Sequence, residues 1–204
     1  MSDVNQRLSS FPFYLDHPDR WVFWDNGFSD VDCDEIIEVG SRNRLDQSTV
    51  FTSEGLDVDT TYRKSNTTFL FPSDIRDVFM KLRYMVMDLN SRYFRYDVTG
   101  FSEGLQFAEY RSPDGNYNWH VDRIGNFIPR KLSISVQLSD PDSYEGGDLE
   151  LCDADQNDEN YIMRLPRARG KLLMFPSWMP HRVTPVTSGV RHSLVGWVTG
   201  PPFR

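Results

Sequence analysis

Leu132-Ser133-Ile134-Ser135-Val136-Gln137-Leu138 alternates apolar and polar side chains with a period of two. That is the pattern of a β-strand whose two faces meet different surroundings. Similar short runs flank it. Leu105 to Tyr110 lies upstream, and Leu149-Glu150-Leu151 follows a Gly146-Gly147 turn. Leu172 to Phe175 and Ser193 to Val198 complete the series, with Gly, Pro, Asn and Asp between the runs. Several short strands at this spacing predict a β-sandwich or jelly roll over residues 101–204.

The texture before residue 100 is helical. Ser29 is placed to cap a helix with Cys33, Ile36, Ile37 and Gly40 on one face. Ser73 is placed to cap a second, whose stripe runs Ile75, Val78, Phe79, Leu82, Met85, Val86 and Leu89. Between them, residues 46–62 are polar and lack periodic apolar positions, which predicts a long loop, read either as a flap or as a merely solvated loop. Helices first and strands afterwards give an α+β class. The expectation is one domain over 1–204, with 1–100 as helical support packed on one sheet of a jelly-roll core.

Apolar residues make up 39% and aromatics 14% of the 204 positions, enough for a packed core and too much for a disordered chain. No run of about 18 apolar residues suggests a membrane span. The start lacks the basic-then-apolar pattern of a secretory signal, and Cys33 and Cys152 are too few for a disulfide framework, so a cytoplasmic protein is expected. The net charge of −8 disfavours a phosphate backbone, so nucleic acid is not an expected partner.

Two His-x-Asp triplets occur among the four histidines. His17-Pro18-Asp19 has a proline at its centre, which a paired strand tolerates poorly, and no strands follow it. His120-Val121-Asp122 lies among the β runs. In an extended segment its imidazole and carboxylate share a face that a third ligand from a distant strand would complete; His181 is the candidate, its other reading being a satisfied histidine at a strand end. Two histidines and a carboxylate leave coordination positions open on Fe(II), whereas a closed zinc site favours cysteines. Arg191 follows ten residues after His181. Its guanidinium fork suits one carboxylate of a dicarboxylic cosubstrate. His192, next in the strand, points to the opposite face and is not a ligand. The acidic run Asp153 to Glu159 superficially suggests a calcium loop, but Asp158 stands where the turn glycine belongs and Arg164 where the last glutamate belongs.

From about residue 105 to 199 the chain resembles the iron- and 2-oxoglutarate-dependent dioxygenases, prolyl 4-hydroxylase-like branch. The resemblance runs in order through Gln106, Tyr110, His120-x-Asp122, Arg130 with Ser133, Gly146-Gly147-x-Leu149, Gly170, Phe175-Pro176, His181-Arg182-Val183, Pro185-Val186, Gly189, Arg191 and Trp197. It implies a double-stranded β-helix (jelly roll) core with His120, Asp122 and His181 as iron ligands. It also implies that Arg191, Tyr110, Ser193 and Trp197 hold 2-oxoglutarate. Gln137-Leu138-Ser139 departs from the branch's usual Tyr-Leu-Asn, so Gln137 is expected to donate a hydrogen bond in place of the missing aromatic.

The activity so implied is hydroxylation of a prolyl residue in a peptide or protein, using Fe(II), 2-oxoglutarate and O2, with ascorbate as a possible auxiliary and release of succinate and CO2. The alternatives are the same chemistry on a free amino acid or other small molecule, largely uncoupled 2-oxoglutarate turnover, or a non-catalytic jelly-roll binding module. Tyr117, Trp119, Arg130 and Trp197 are the expected substrate-facing residues, with Trp178 and the 46–62 flap excluding water. A monomer or homodimer is expected.

Overall fold

The computed structural model describes residues 19–43, 46–47, 50–52, 55–57, 62–122 and 129–202. In chain order the described elements are β1 (Val22–Trp24), α1 (Asp30–Arg42), β2 (Asp46–Gln47), β3 (Val50–Thr52), β4 (Gly55–Asp57), β5 (Arg63–Lys64), β6 (Asn66–Leu70) and α2 (Arg76–Leu89). Then follow β7 (Gly100–Phe101), β8 (Leu105–Arg111), β9 (Gly115–His120), β10 (Arg130–Gln137), β11 (Tyr144–Gly146), β12 (Leu149–Cys152), β13 (Ile162–Arg164), β14 (Leu172–Pro176) and β15 (His181–Thr199).

The long strand β15 belongs to two antiparallel layers. Its C-terminal half pairs with β10 on one side and β8 on the other, within the order β1-β14-β10-β15-β8-β6-β2. Its N-terminal half pairs with β9, β11 and β12 in a smaller layer. The larger layer is covered on both faces. Leu132, Ile134 and Val136 of β10 pack with Leu172 and Met174 of β14 against Ile36, Leu82, Met85 and Leu89 of the helices. The opposite face packs across the sandwich, where Ala108, Leu173 and Phe175 meet Leu149, Leu151, Val183 and Val186. Each such aliphatic burial contributes roughly 1.5–3 kcal/mol, so both interfaces hold the layers in place. This is the predicted jelly-roll core with helices on one sheet.

Ser29 caps α1 as expected, its hydroxyl accepting from the Asp32 amide while the Asp32 side chain accepts from the Ser29 amide. Ser73 does not cap α2. The Asp74 carboxylate accepts from the Phe71 amide at 2.7 Å and closes a turn, and the helix begins only at Arg76 without a side-chain cap. Residues 46–62 contain short strands where a loop was predicted: β2 pairs with β6, and β3 with β4. The remainder of that segment, including any lid it forms, lies outside the described residues, as does His17. The first hundred residues therefore add β1, β5 and β6 to the sheets as well as helices. No helix among the described residues is long and apolar enough to cross a membrane.

Candidate metal and cosubstrate site

His120 ends β9 and His181 begins β15, and the two residues are direct partners in the ladder. Their ring centroids are 4.1 Å apart. Asp122 lies just past β9, held by a hydrogen bond from its amide to the Ser177 carbonyl at 3.0 Å. Its Oδ1 is 3.8 Å from His120 Nε2, and its Oδ2 is 3.3 Å from His181 Nε2. Among the described residues this is the one His/Cys/Asp/Glu group whose donor atoms converge, all within 4.8 Å of one another. In the Asp153–Glu159 run, by contrast, Asp155 and Asp158 accept from Asn157 and Asn160 in local turns.

The hydrogen bonds fix which imidazole nitrogen is free. His120 Nδ1 is 2.7 Å from the Asn118 carbonyl, and His181 Nδ1 is 3.0 Å from the Met179 carbonyl. A carbonyl only accepts, so each Nδ1 carries a proton and each Nε2 faces the shared centre. Burial first, then the charge of His181, push His120 down to about 3, so it is a neutral ligand. Burial alone would raise Asp122, but His181, His120 and the Ser133 hydroxyl hold it far below the ordinary carboxylate range. Burial likewise opposes charge on His181, and the Asp122 carboxylate overcomes it and raises that pKa. Ser133 donates to Asp122 Oδ2 at 2.7 Å and shares a 3.0 Å hydrogen bond with Ser177.

Strand alternation on β10 and β15 builds the rest. The face opposite the helix-packed leucines carries Ser133, Ser135 and Gln137, and the matching face of β15 carries Arg191, Ser193 and Trp197. Of these, Ser135, Arg191, Ser193 and Trp197 line a cavity of about 720 Å³ between the layers, within the usual range for a small-molecule site. Arg191 is 1% exposed. Its Nη2 donates to Gln137 Oε1 at 2.9 Å and its Nη1 to Ser193 Oγ at 3.2 Å, while Nε has no partner. No carboxylate pairs with it among the described residues. Gln137 thus accepts from the arginine through its oxygen, and its Nε2 donates to Ser135 at 3.0 Å. The Tyr110 ring lies 5.3 Å from the guanidinium carbon. His192 faces the other way, stacked on Phe107 and 3.3 Å from Glu109.

The four expected substrate-facing residues divide. Tyr117 lines the cavity but stacks on His120, with centroids 3.5 Å apart. The register slips between the Val183–Tyr117 and His181–His120 pairs, an irregularity that turns both residues inward. Trp119 is not part of the cavity wall, and its ring lies under Arg182, which pairs with Glu150. Arg130 is gripped by Glu103 at 2.8 and 2.6 Å, donates to the Asp122 carbonyl at 3.2 Å and covers the Trp197 ring at 3.7 Å. Its guanidinium is committed to holding the site together. Trp197 lines the cavity with its indole nitrogen unpartnered. Trp178, 46% exposed, is not in the cavity wall. Sequence reasoning missed Arg63 and Glu103, which stand in short or irregular segments with no periodic signal.

Comparison with known proteins agrees with this geometry. The fold is of the prolyl 4-hydroxylase type. A Pseudomonas putida prolyl-4-hydroxylase superposes with a TM-score of 0.66 at 20% identity, covering 90% of this chain and 94% of that one. A Trichoplax adhaerens prolyl hydroxylase, solved with a hypoxia inducible factor oxygen degradation domain peptide, gives 0.71 at 18% identity, covering 96% and 90%. Residues 105–199 match the model of the 2OG-Fe(II) oxygenase superfamily. It is 42% identical over 86 residues to a PKHD-type hydroxylase of Synechococcus sp. strain CC9311, covering 42% of this chain and 37% of that protein. It is 43% identical over 110 residues to one from Hyphomonas neptunium, covering 50% and 47%. The chain spans less than half the length of these curated relatives. The superfamily implies Fe(II), 2-oxoglutarate and O2, and the donor set fits: two imidazoles and one carboxylate suit Fe(II), and Arg191 lacks the anion that a dicarboxylate would bring.

Proposed function

We propose that the protein is an Fe(II)- and 2-oxoglutarate-dependent hydroxylase acting on a prolyl residue in a peptide or protein. The observation that carries this reading is a nearly sealed guanidinium, bonded only to neutral side chains, in the same cavity as the His120, Asp122 and His181 donors. The printed names of the relatives, PKHD-type hydroxylase, and the peptide bound to the Trichoplax protein support a peptide substrate.

When bound, Fe(II) with 2-oxoglutarate and O2 supplies oxidative hydroxylation of a C–H bond, with succinate and CO2 as co-products. The chain's own residues do the positioning. His120 and His181 offer Nε2, with their rings fixed by the Asn118 and Met179 carbonyls. Asp122 stays ionised and is oriented by Ser133. Arg191 binds the far carboxylate of the cosubstrate, aided by Ser193 and Tyr110, and Gln137 holds the guanidinium from behind. A buried arginine left without an anion is costly, so the pocket selects a dicarboxylate over a monocarboxylate. Trp197 and Tyr117 wall the cavity against water. The reading extends to a cytoplasmic enzyme, monomer or homodimer, assisted by ascorbate and not acting on nucleic acid. The −8 charge supports the last point.

The test is a proline-containing peptide library incubated with Fe(II), 2-oxoglutarate and air, read by mass spectrometry and a succinate assay. Gain of one oxygen on proline with matching succinate is the expected result. Succinate without any oxygenated peptide would point instead to uncoupled turnover, and neither product would point to a binding module.

A further inference from the structure

Arg63, on β5, lines the same cavity and is 6% exposed. Its Nε donates to Ser65 Oγ and its Nη2 to Gln106 Oε1, both at 2.9 Å. Both partners are neutral, and no carboxylate pairs with Arg63 among the described residues. Nη1 has no hydrogen-bond partner among the described residues and is not sealed from solvent, on a residue that lines the cavity. The guanidinium carbon lies 4.2 Å from the Tyr117 ring centroid. His120 stacks on that ring at 3.5 Å, which leaves Arg63 only the opposite face. One aromatic layer therefore separates Arg63 from an iron-binding imidazole.

The other arginines of the cavity wall are accounted for. Glu103 neutralises Arg130, and Arg191 receives 2-oxoglutarate in the reading above. Arg63 alone remains a largely buried cation without an assigned anion, a state that is costly unless a ligand completes it. Its free Nη1 and second Nη2 proton form a fork that matches a carboxylate.

We propose that Arg63 receives a carboxylate of the prime substrate, making the substrate acidic at or beside the hydroxylated residue. The carboxylate is either an α-carboxylate, of a C-terminal residue or free amino acid, or an acidic side chain next in the peptide. This rests on the hydroxylase reading and narrows its substrate class. Arg63 is then a specificity residue, placed so that the bound carboxylate lies a few bonds from the carbon facing the metal.

The experiment measures binding without oxygen, by calorimetry, to protein loaded with Fe(II) and 2-oxoglutarate. The probes are Ala-Ala-Ala-Pro as free acid and as amide, acetyl-Ala-Pro-Asp-Ala-amide with its Asn counterpart, and L-proline with L-prolinamide. At least one acidic probe is expected to bind at least tenfold tighter than its neutral counterpart. Preference for the free acid or for L-proline assigns an α-carboxylate, and preference for the Asp peptide assigns a side chain. Gln106→Glu places a carboxylate against Arg63 while keeping its stack on Tyr117. It should erase the preference and leave the neutral probes within twofold. Equal binding of acidic and neutral probes, including no binding by either, overturns the inference, as does a preference that survives Gln106→Glu. Absence of the anaerobic visible band with 2-oxoglutarate tells against the hydroxylase reading instead, and the acid preference measured on metal-free protein then judges Arg63 separately.

Discussion

Ser133 shows how one hydroxyl orients a carboxylate of the candidate metal site. It is fully buried and aims a proton at Asp122, so Ser133→Ala leaves the carboxylate free to rotate off the two imidazoles. Partners of this kind typically change metal affinity roughly 10–100-fold. Titration with Fe(II) or Co(II) should show a loss of that size with little change in fold. Arg191 makes the opposite kind of prediction. Without cosubstrate it is a buried charge with neutral partners, and replacing such a group with a well-packed apolar one is often neutral or stabilising. Arg191→Met should therefore keep or raise the Tm of the free protein and abolish the rise that 2-oxoglutarate gives the native chain, as read by thermal melts. A Tm falling in the free variant would show that the guanidinium is already satisfied.

At the scale of elements, β10 carries the most information per residue. Its alternation was legible in the sequence as a strand, and so was the polar set Ser133, Ser135 and Gln137. That this set is buried between two layers and does not face water depends on the second layer, which β15 completes from far along the chain. The His120-x-Asp122 spacing was legible for the same local reason, although Asp122 lies beyond the end of the strand. Arg63 was not legible. It sits on a two-residue strand whose role comes from pairing with Tyr117, a contact no local pattern announces. The β11–β12 turn offers an element-scale test. Gly147 has φ +65°, and a Cβ there would lie 2.9 Å from Val186 Cγ2 and 3.0 Å from Arg191 Cδ. Gly147→Ala should cost about 1–3 kcal/mol by chemical denaturation and weaken 2-oxoglutarate binding through the displaced arginine.

At the scale of the whole molecule, stability should fall in acid. His192, away from the His120, Asp122 and His181 cluster, is lowered from 6.5, with burial outweighing its bond to Glu109. The unfolded chain then binds the proton more readily, so stability is full above about pH 6.5 and declines below it. Burial alone would raise Glu109, but Arg111, Asn66 and His192 lower it from 4.5, and its contribution is lost as the pH falls below that value. His192→Gln should flatten the decline between pH 7 and 5 in thermal melts, and an unchanged slope would place the acid sensitivity elsewhere. The sandwich as a whole exists to bring two strand ends and one arginine around a single cavity. The most direct measurement is anaerobic visible absorption of protein mixed with Fe(II) and 2-oxoglutarate. The native chain and His17→Ala should both give a charge-transfer band saturating at one metal per chain, and His120→Ala should give none. A native chain without the band, or a His120→Ala variant that keeps it, would contradict the site.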